Sequence, residues 1–99
     1  MELANVFNQE EVNLIDVRES FEFMMGHAEG AVNIPLTTIP ERIEEFRNMS
    51  GPVVLYCRSG MRSGQATQFL RNCGVPEAIN AGGLDNVLYH QEQAKLKRA

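Results

Sequence analysis

Val53-Val54-Leu55-Tyr56-Cys57-Arg58-Ser59-Gly60-Met61-Arg62-Ser63 is the stretch on which the fold turns. Its first four residues are apolar or aromatic without a break, the pattern of a strand covered on both faces inside a parallel sheet. The run stops at Cys57. A loop with one glycine and two arginines follows, and a helical pattern opens at Ser63 and Gly64 and runs to Asn72 before Gly74. A cysteine between a strand end and a helix N-terminus meets unpaired backbone N–H groups and the positive end of a helix dipole. Both favour the thiolate, which is the nucleophile. A free thiol titrates near about 8.5, and such settings bring it to roughly 3.5–7.5. Cys57 is therefore a candidate reactive cysteine, with Arg58 and Arg62 beside it for a small anion.

Outward from this core, strand and helix patterns alternate. Leu14-Ile15-Asp16-Val17 reads as a short buried strand. Ser20 is placed to cap a brief helix with Phe21, Met24 and Met25 on one inward face, stopped by Gly26. Ala31-Val32-Asn33-Ile34 reads as a second strand closed by Pro35. Thr38-Ile39-Pro40-Glu41 matches a capping box with proline in the first turn, and the helix behind it packs Ile39, Ile43 and Phe46 and ends near Ser50-Gly51-Pro52. After the cysteine loop, Ala66, Phe69, Leu70 and Cys73 mark the apolar stripe of one helix, which makes Cys73 a small core residue. Glu77-Ala78-Ile79-Asn80 reads as the last strand, Gly82-Gly83 as a tight turn, and Leu84, Val87 and Leu88 as the start of a final helix that ends in a basic tail. The alternation predicts an α/β layer with a parallel sheet and right-handed crossovers. Ligands bind such sheets beyond the carboxyl ends of strands, which is where Cys57 stands.

Ninety-nine residues without repeat, linker or low-complexity tract predict one domain over 1–99. The net charge is −4, with ten acids and three bases in residues 1–50 and three acids and six bases in residues 51–99. An acidic chain whose only basic run is Lys95, Lys97 and Arg98 argues against nucleic-acid binding. No apolar stretch approaches the roughly 18 residues of a membrane span, and the N-terminus lacks the features of a secretory signal. The expectation is a cytoplasmic protein with no membrane partner. Two dispersed cysteines and two histidines argue against both a disulfide and a metal site.

Four ordered blocks then resemble the rhodanese homology domain: Asp16-Val17-Arg18-Glu19; Gly26-His27 with Gly30-Ala31-Val32-Asn33-Ile34-Pro35; the Cys57–Ser63 loop; and Gly82-Gly83. The resemblance spans about residues 13–88. It implies a three-layer rhodanese-like fold, a central parallel sheet of four to five short strands with helices on both faces. It implies a thiosulfate sulfurtransferase without cofactor, in which Cys57 takes sulfur from a small anionic donor as a persulfide and yields it to a thiol or cyanide. Arg58, Ser59, Gly60, Met61, Arg62 and Ser63 would bind the donor, with Asp16 and Arg18 in support. The chain departs from the family at its N-terminus, too short for the usual first strand and helix; Ala4-Asn5-Val6-Phe7 reads as a short helix instead, and residues 90–99 as a helical tail. The family's tryptophan after Gly-Gly is absent, leaving Val87 or Tyr89 to fill its space.

Other readings stand beside this one. The same residues suit a persulfide carrier or interaction module for a sulfur-relay protein. Cysteine phosphatases use a loop one residue longer between cysteine and arginine, which places phosphatase or arsenate-reductase chemistry behind. Arg62 has a competing role bracing the loop against an acid at 16 or 19. Arg58 lies at the mouth, Asp16 holds Arg18 or a loop N–H, His27 belongs to a structural turn, His90 faces solvent, Met24 and Met25 fill the core, and Met61 lines the entrance.

Overall fold

A computed structural model of the chain describes residues 3–9 and 11–98. The elements, in chain order, are α1 (Leu3–Phe7), β1 (Asn13–Asp16), α2 (Ser20–Met25), β2 (Val32–Asn33), a 3-10 segment (Leu36–Arg42), α3 (Ile43–Arg47), β3 (Val53–Cys57), α4 (Met61–Asn72), β4 (Ala78–Gly83) and α5 (Leu84–Arg98). The four strands form one parallel sheet in the order β2-β1-β3-β4. The N-terminal segment is a helix and not an edge strand, and the expected helical tail extends to Arg98; Ala99 lies outside the described residues.

Every residue of β3 is buried, because the strand has a neighbour on each side and helices on each face. Its side chains alternate between two cores. Val53, Leu55 and Cys57 join Ile15, Ile34, Ile39, Phe46, Ala66 and Leu70 on the α3–α4 side. Val54 and Tyr56 join Val6, Phe7, Leu14, Val87 and Ala94 on the α1–α5 side. This is the three-layer arrangement. Val87 is fully buried, whereas Tyr89 is largely exposed, so Val87 occupies the interior after the Gly-Gly pair.

Several local expectations are corrected. The cap of α2 is Glu19, not Ser20: the Glu19 N–H donates to Glu22 Oε1 at 3.0 Å and the Glu19 side chain accepts in return. Met24 and Met25 are 83 % and 86 % exposed and Phe21 65 %, because α2 packs through Glu22, paired with Arg62, and Phe23, stacked on His27 at 3.7 Å between ring centres. Thr38 caps no helix. Its hydroxyl donates backward to the Pro35 carbonyl at 2.8 Å, which tightens the chain into 3-10 turns that contain Pro40, and α-helix begins only at Ile43. Ile39 and Phe46 are buried, Ile43 is partly so, and α3 stops at Arg47.

The buried face of α4 is Ser63, Ala66, Thr67 and Leu70, rotated from the expected stripe. Two polar residues face inward there because each has a partner; Thr67 Oγ1 donates to the Ser63 carbonyl at 2.7 Å. Phe69 and Cys73 consequently sit at the margin, Cys73 half-buried beyond the helix end. Both cysteines are free. Gly82 and Gly83 are not a tight turn but the end of β4, where a register irregularity pairs Gly83 with Cys57. His90 is half-buried instead of solvent-facing. Its ring stacks parallel to Phe7, and its Nδ1 is buried with no hydrogen-bond partner among the described residues.

Candidate active site

The parallel sheet ends its central strand on Cys57, and the chain must turn from β3 into α4 within three residues, Arg58 to Gly60. Gly60 makes that turn with φ +98°, a left-handed conformation that a residue with Cβ adopts at a cost. Space imposes the same choice, since a Cβ on Gly60 would stand 3.1 Å from Gly82 Cα. Opposite, a Cβ on Gly83 would collide with the Arg58 carbonyl oxygen. The end of β4 therefore presses backbone to backbone against the cysteine loop, which only glycine permits.

The result is a ring of donors around one sulfur. Gly60 N–H donates to Cys57 Sγ at 3.0 Å and Ser63 N–H reaches it at 3.5 Å, while Ser63 Oγ lies 3.4 Å away. Burial alone pushes the Cys57 thiol up. The Ser63 hydroxyl and the N–H groups of Ser63, Gly60 and Ser59 outweigh it and bring the thiol below its ordinary value. Such preorganised donors in a water-poor site stabilise any anion held on that atom. The residue itself has no exposed surface, so a reactant reaches the sulfur only when the loop around it moves.

The charged neighbours divide into free and committed groups. Arg58 is exposed at the mouth and lines a groove of about 620 Å³ with Arg18, Phe21, Glu22, Met25, Gly26 and Leu84. Arg62 places its fork on Glu22, at 2.7 and 3.1 Å. That contact, followed by the Glu19 N–H, holds the Glu22 carboxyl down at about 2. Arg62 in turn is kept more firmly protonated by Glu22 first, with charge on Cys57 contributing less. Met61 is 75 % exposed at the first turn of α4, and Ser59 is exposed beside it.

Asp16 and Arg18 form a brace beneath the site. Asp16, fully buried, accepts from Arg18 N–H at 2.9 Å, from Nε at 3.0 Å and from Nη2 at 2.7 Å. Arg18 Nη2 also donates to the Gly26 carbonyl at 2.8 Å, and its guanidinium lies 5.8 Å from the Tyr56 ring centre. The brace joins the end of β1 to the end of α2. Burial, then the Asp16 carboxylate, keeps the Tyr56 phenol protonated, and its oxygen accepts from Ala28 N–H at 3.1 Å. His27 faces away from this chemistry: its Nδ1 lies 2.8 Å from the Phe23 carbonyl, which only accepts, so that nitrogen carries the proton.

Two residues that pattern reading passed over belong to the site. Glu22 claims Arg62; its only signal was a place three residues after Glu19. Asn80 contacts Ser63, Gly60 and Gly82; its signal was a polar amide within the apolar Ala78-Ile79-Asn80-Ala81 run. Among the described residues no group of three His, Cys, Asp or Glu side chains gathers as a metal site, and no helix is long and apolar enough to cross a membrane.

Residues 1–90 match the rhodanese-like domain family. The chain is 50 % identical over 70 residues to YqhL, an uncharacterized protein of Bacillus subtilis (strain 168), covering 71 % of this chain and 55 % of that protein. It is 39 % identical over 74 residues to the thiosulfate sulfurtransferase PspE of Escherichia coli (strain K12), covering 74 % of this chain and 71 % of PspE. Among solved structures, a rhodanese with anions from E. coli superposes with a TM-score of 0.69 at 38 % identity, over 76 % of this chain and 89 % of that one. The chain thus spans little more than half the length of YqhL and about seven tenths of PspE.

Proposed function

Because the chain belongs to the rhodanese-like, sulfurtransferase family, we propose that it moves sulfane sulfur from thiosulfate to a thiophilic acceptor through a persulfide on Cys57. The observation that carries this reading is the ring of N–H and O–H donors on the Cys57 sulfur. In the first step the thiolate attacks the outer sulfur of thiosulfate. A new S–S bond forms, the S–S bond to the sulfonate breaks, and sulfite leaves with the electron pair. In the second step cyanide or an acceptor thiolate attacks the outer sulfur of the persulfide and Cys57 departs as thiolate. Both forms of the enzyme carry one negative charge, on Cys57 Sγ in the thiolate and on the outer sulfur in the persulfide, so donors at the loop favour an anion in both halves of the cycle.

Arg58 suits recruitment of the dianion, being exposed and adjacent to the nucleophile. Arg62, held by Glu22, supports the loop and adds positive potential from its place in the first turn of α4. The test is mass spectrometry of the intact protein after thiosulfate and removal of excess donor. A gain of about 32 Da that maps to Cys57, and returns to the starting mass on adding cyanide, is the expected result. Thiosulfate that leaves the mass unchanged, or labels Cys73, rejects the reading.

One observation favours a second reading for the acceptor half-reaction. Phe21, Met24, Met25 and Met61 are all largely exposed, and the groove at Arg58 is far larger than a tetrahedral anion occupies. Methionine-rich surfaces suit contact with a protein partner, and we propose that a protein thiol is the cellular acceptor. Met24→Glu is expected to leave cyanide-dependent turnover within about twofold and to slow transfer to a protein thiol such as reduced thioredoxin about tenfold. Equal rates to both acceptors in wild type and variant would remove this reading.

A further inference from the structure

Ser63 Oγ has one proton and three neighbours: Asn80 Oδ1 at 2.7 Å, Cys57 Sγ at 3.4 Å and the Gly82 carbonyl at 3.5 Å. The amide and carbonyl oxygens only accept. A neutral Cys57 thiol can donate to Ser63 Oγ, which then gives its own proton to Asn80. A thiolate only accepts, so the hydroxyl must turn toward the sulfur. That turn removes one donor from Asn80 Oδ1. The Gly82 N–H, at 2.9 Å, still satisfies it. The amide oxygen therefore has a second donor in reserve, and charging the sulfur leaves it paired.

The other end of the same amide holds the loop. Asn80 Nδ2 donates to the Gly60 carbonyl at 3.1 Å, an oxygen that also accepts from Gly64 N–H at 2.9 Å. Those bonds fix the carbonyl end of Gly60, the residue whose own N–H stands nearest the sulfur. The amide's orientation is settled from both sides, since Gly82 N–H requires an oxygen and the Gly60 carbonyl requires an NH₂. Packing adds to this, because a Cβ on Gly64 would come within 3.3 Å of Asn80 Nδ2.

We propose that Asn80 is a positioning residue for the Cys57 sulfur, acting through Ser63 as the resting place of its proton when the sulfur is neutral, and through Gly60 as the anchor of the loop. It touches neither donor nor acceptor. The inference deepens the functional reading above, since it takes Cys57 as the reacting sulfur. The charged groups around that sulfur are Arg58 in the loop, Arg62 on α4 with Glu22 on α2, and Asp16 with Arg18 at the end of β1; substitution at 80 leaves each in place.

The test is the pH titration of the Cys57 thiolate by ultraviolet absorbance in Cys73→Ser protein. Asn80→Ala removes the acceptor that competes with the sulfur for the Ser63 proton, so the midpoint is expected to fall, by about half a unit. Asn80→Asp, which keeps the shape but makes that competing acceptor anionic, is expected to raise the midpoint instead, and it carries the test if the alanine variant fails to fold. The alanine shift should fall by at least half when Ser63→Ala is already present, because the hydroxyl is then gone. Midpoints that coincide with wild type, or a shift undiminished in the Ser63→Ala background, overturn the proposal. Absence of sulfur uptake by the wild-type protein would instead count against the sulfurtransferase reading and leave this titration result standing.

Discussion

Cys57→Ser protein is expected to lose thiosulfate-dependent thiocyanate formation by on the order of a thousandfold or more. Serine preserves the shape of the loop and can accept the same N–H donors, so folding should survive, with a melting curve close to wild type. What it cannot supply is a nucleophile that is anionic near neutrality and able to form and break bonds to sulfur. Activity within tenfold of wild type would end the assignment of Cys57. The wild-type profile should show the donors' influence. Its alkylation rate is expected to rise with pH through a midpoint below that of an ordinary thiol, while the plateau stays below that of free thiolate because the sulfur is covered. The linkage has a definite sign. Between the folded midpoint and about 8.5 the unfolded chain binds a proton that the folded one has released, so stability rises with pH across that window. The contribution is complete above the window and lost below the folded midpoint.

Asp16→Ala is expected to destabilise the fold by about 3–5 kcal/mol, the cost of breaking a buried pair from one side. Asp16 has no exposed side chain and receives three side-chain contacts and one backbone N–H from Arg18. Without it the guanidinium keeps the Gly26 carbonyl and the Tyr56 ring face but no counter-charge. Domains hold only about 5–15 kcal/mol in total, so the variant should be largely unfolded at modest denaturant. Urea titration measures this as a fall in the midpoint with little change in slope. Asp16→Ala/Arg18→Met should recover a large part of the loss, since an apolar side chain needs no partner there. A single-variant loss below about 1 kcal/mol would show that the pair is not the brace described.

The central layer was legible because its signals are unambiguous. An unbroken apolar β3 can only be a strand with both faces covered, and it ends where the loop's glycine and arginines begin. The short helix over Leu3–Phe7 matches the helical reading of Ala4-Asn5-Val6-Phe7. Residues whose role depends on a distant partner were not. Phe21, Met24 and Met25 look like a core stripe to any count of hydrophobicity, yet α2 turns inward on Glu22 and Phe23 because Arg62 and His27 await them. On α4 the same count favoured Phe69 and Cys73 over Ser63 and Thr67, because it cannot register that a buried hydroxyl has found an acceptor. Asn80 escaped notice for the same reason. Its three contacts lie 17 and 20 residues back and two ahead in the chain, and its one local mark is an amide within an apolar run.

The covering of the Cys57 sulfur has a consequence for its survival. Peroxides attack sulfur according to its charge and its accessibility together. A charged sulfur open to solvent would drift toward sulfinic and sulfonic acids, which cells seldom reverse. With that sulfur covered in the resting protein, its oxidation by peroxide is expected to be slower than that of an open thiolate of the same charge.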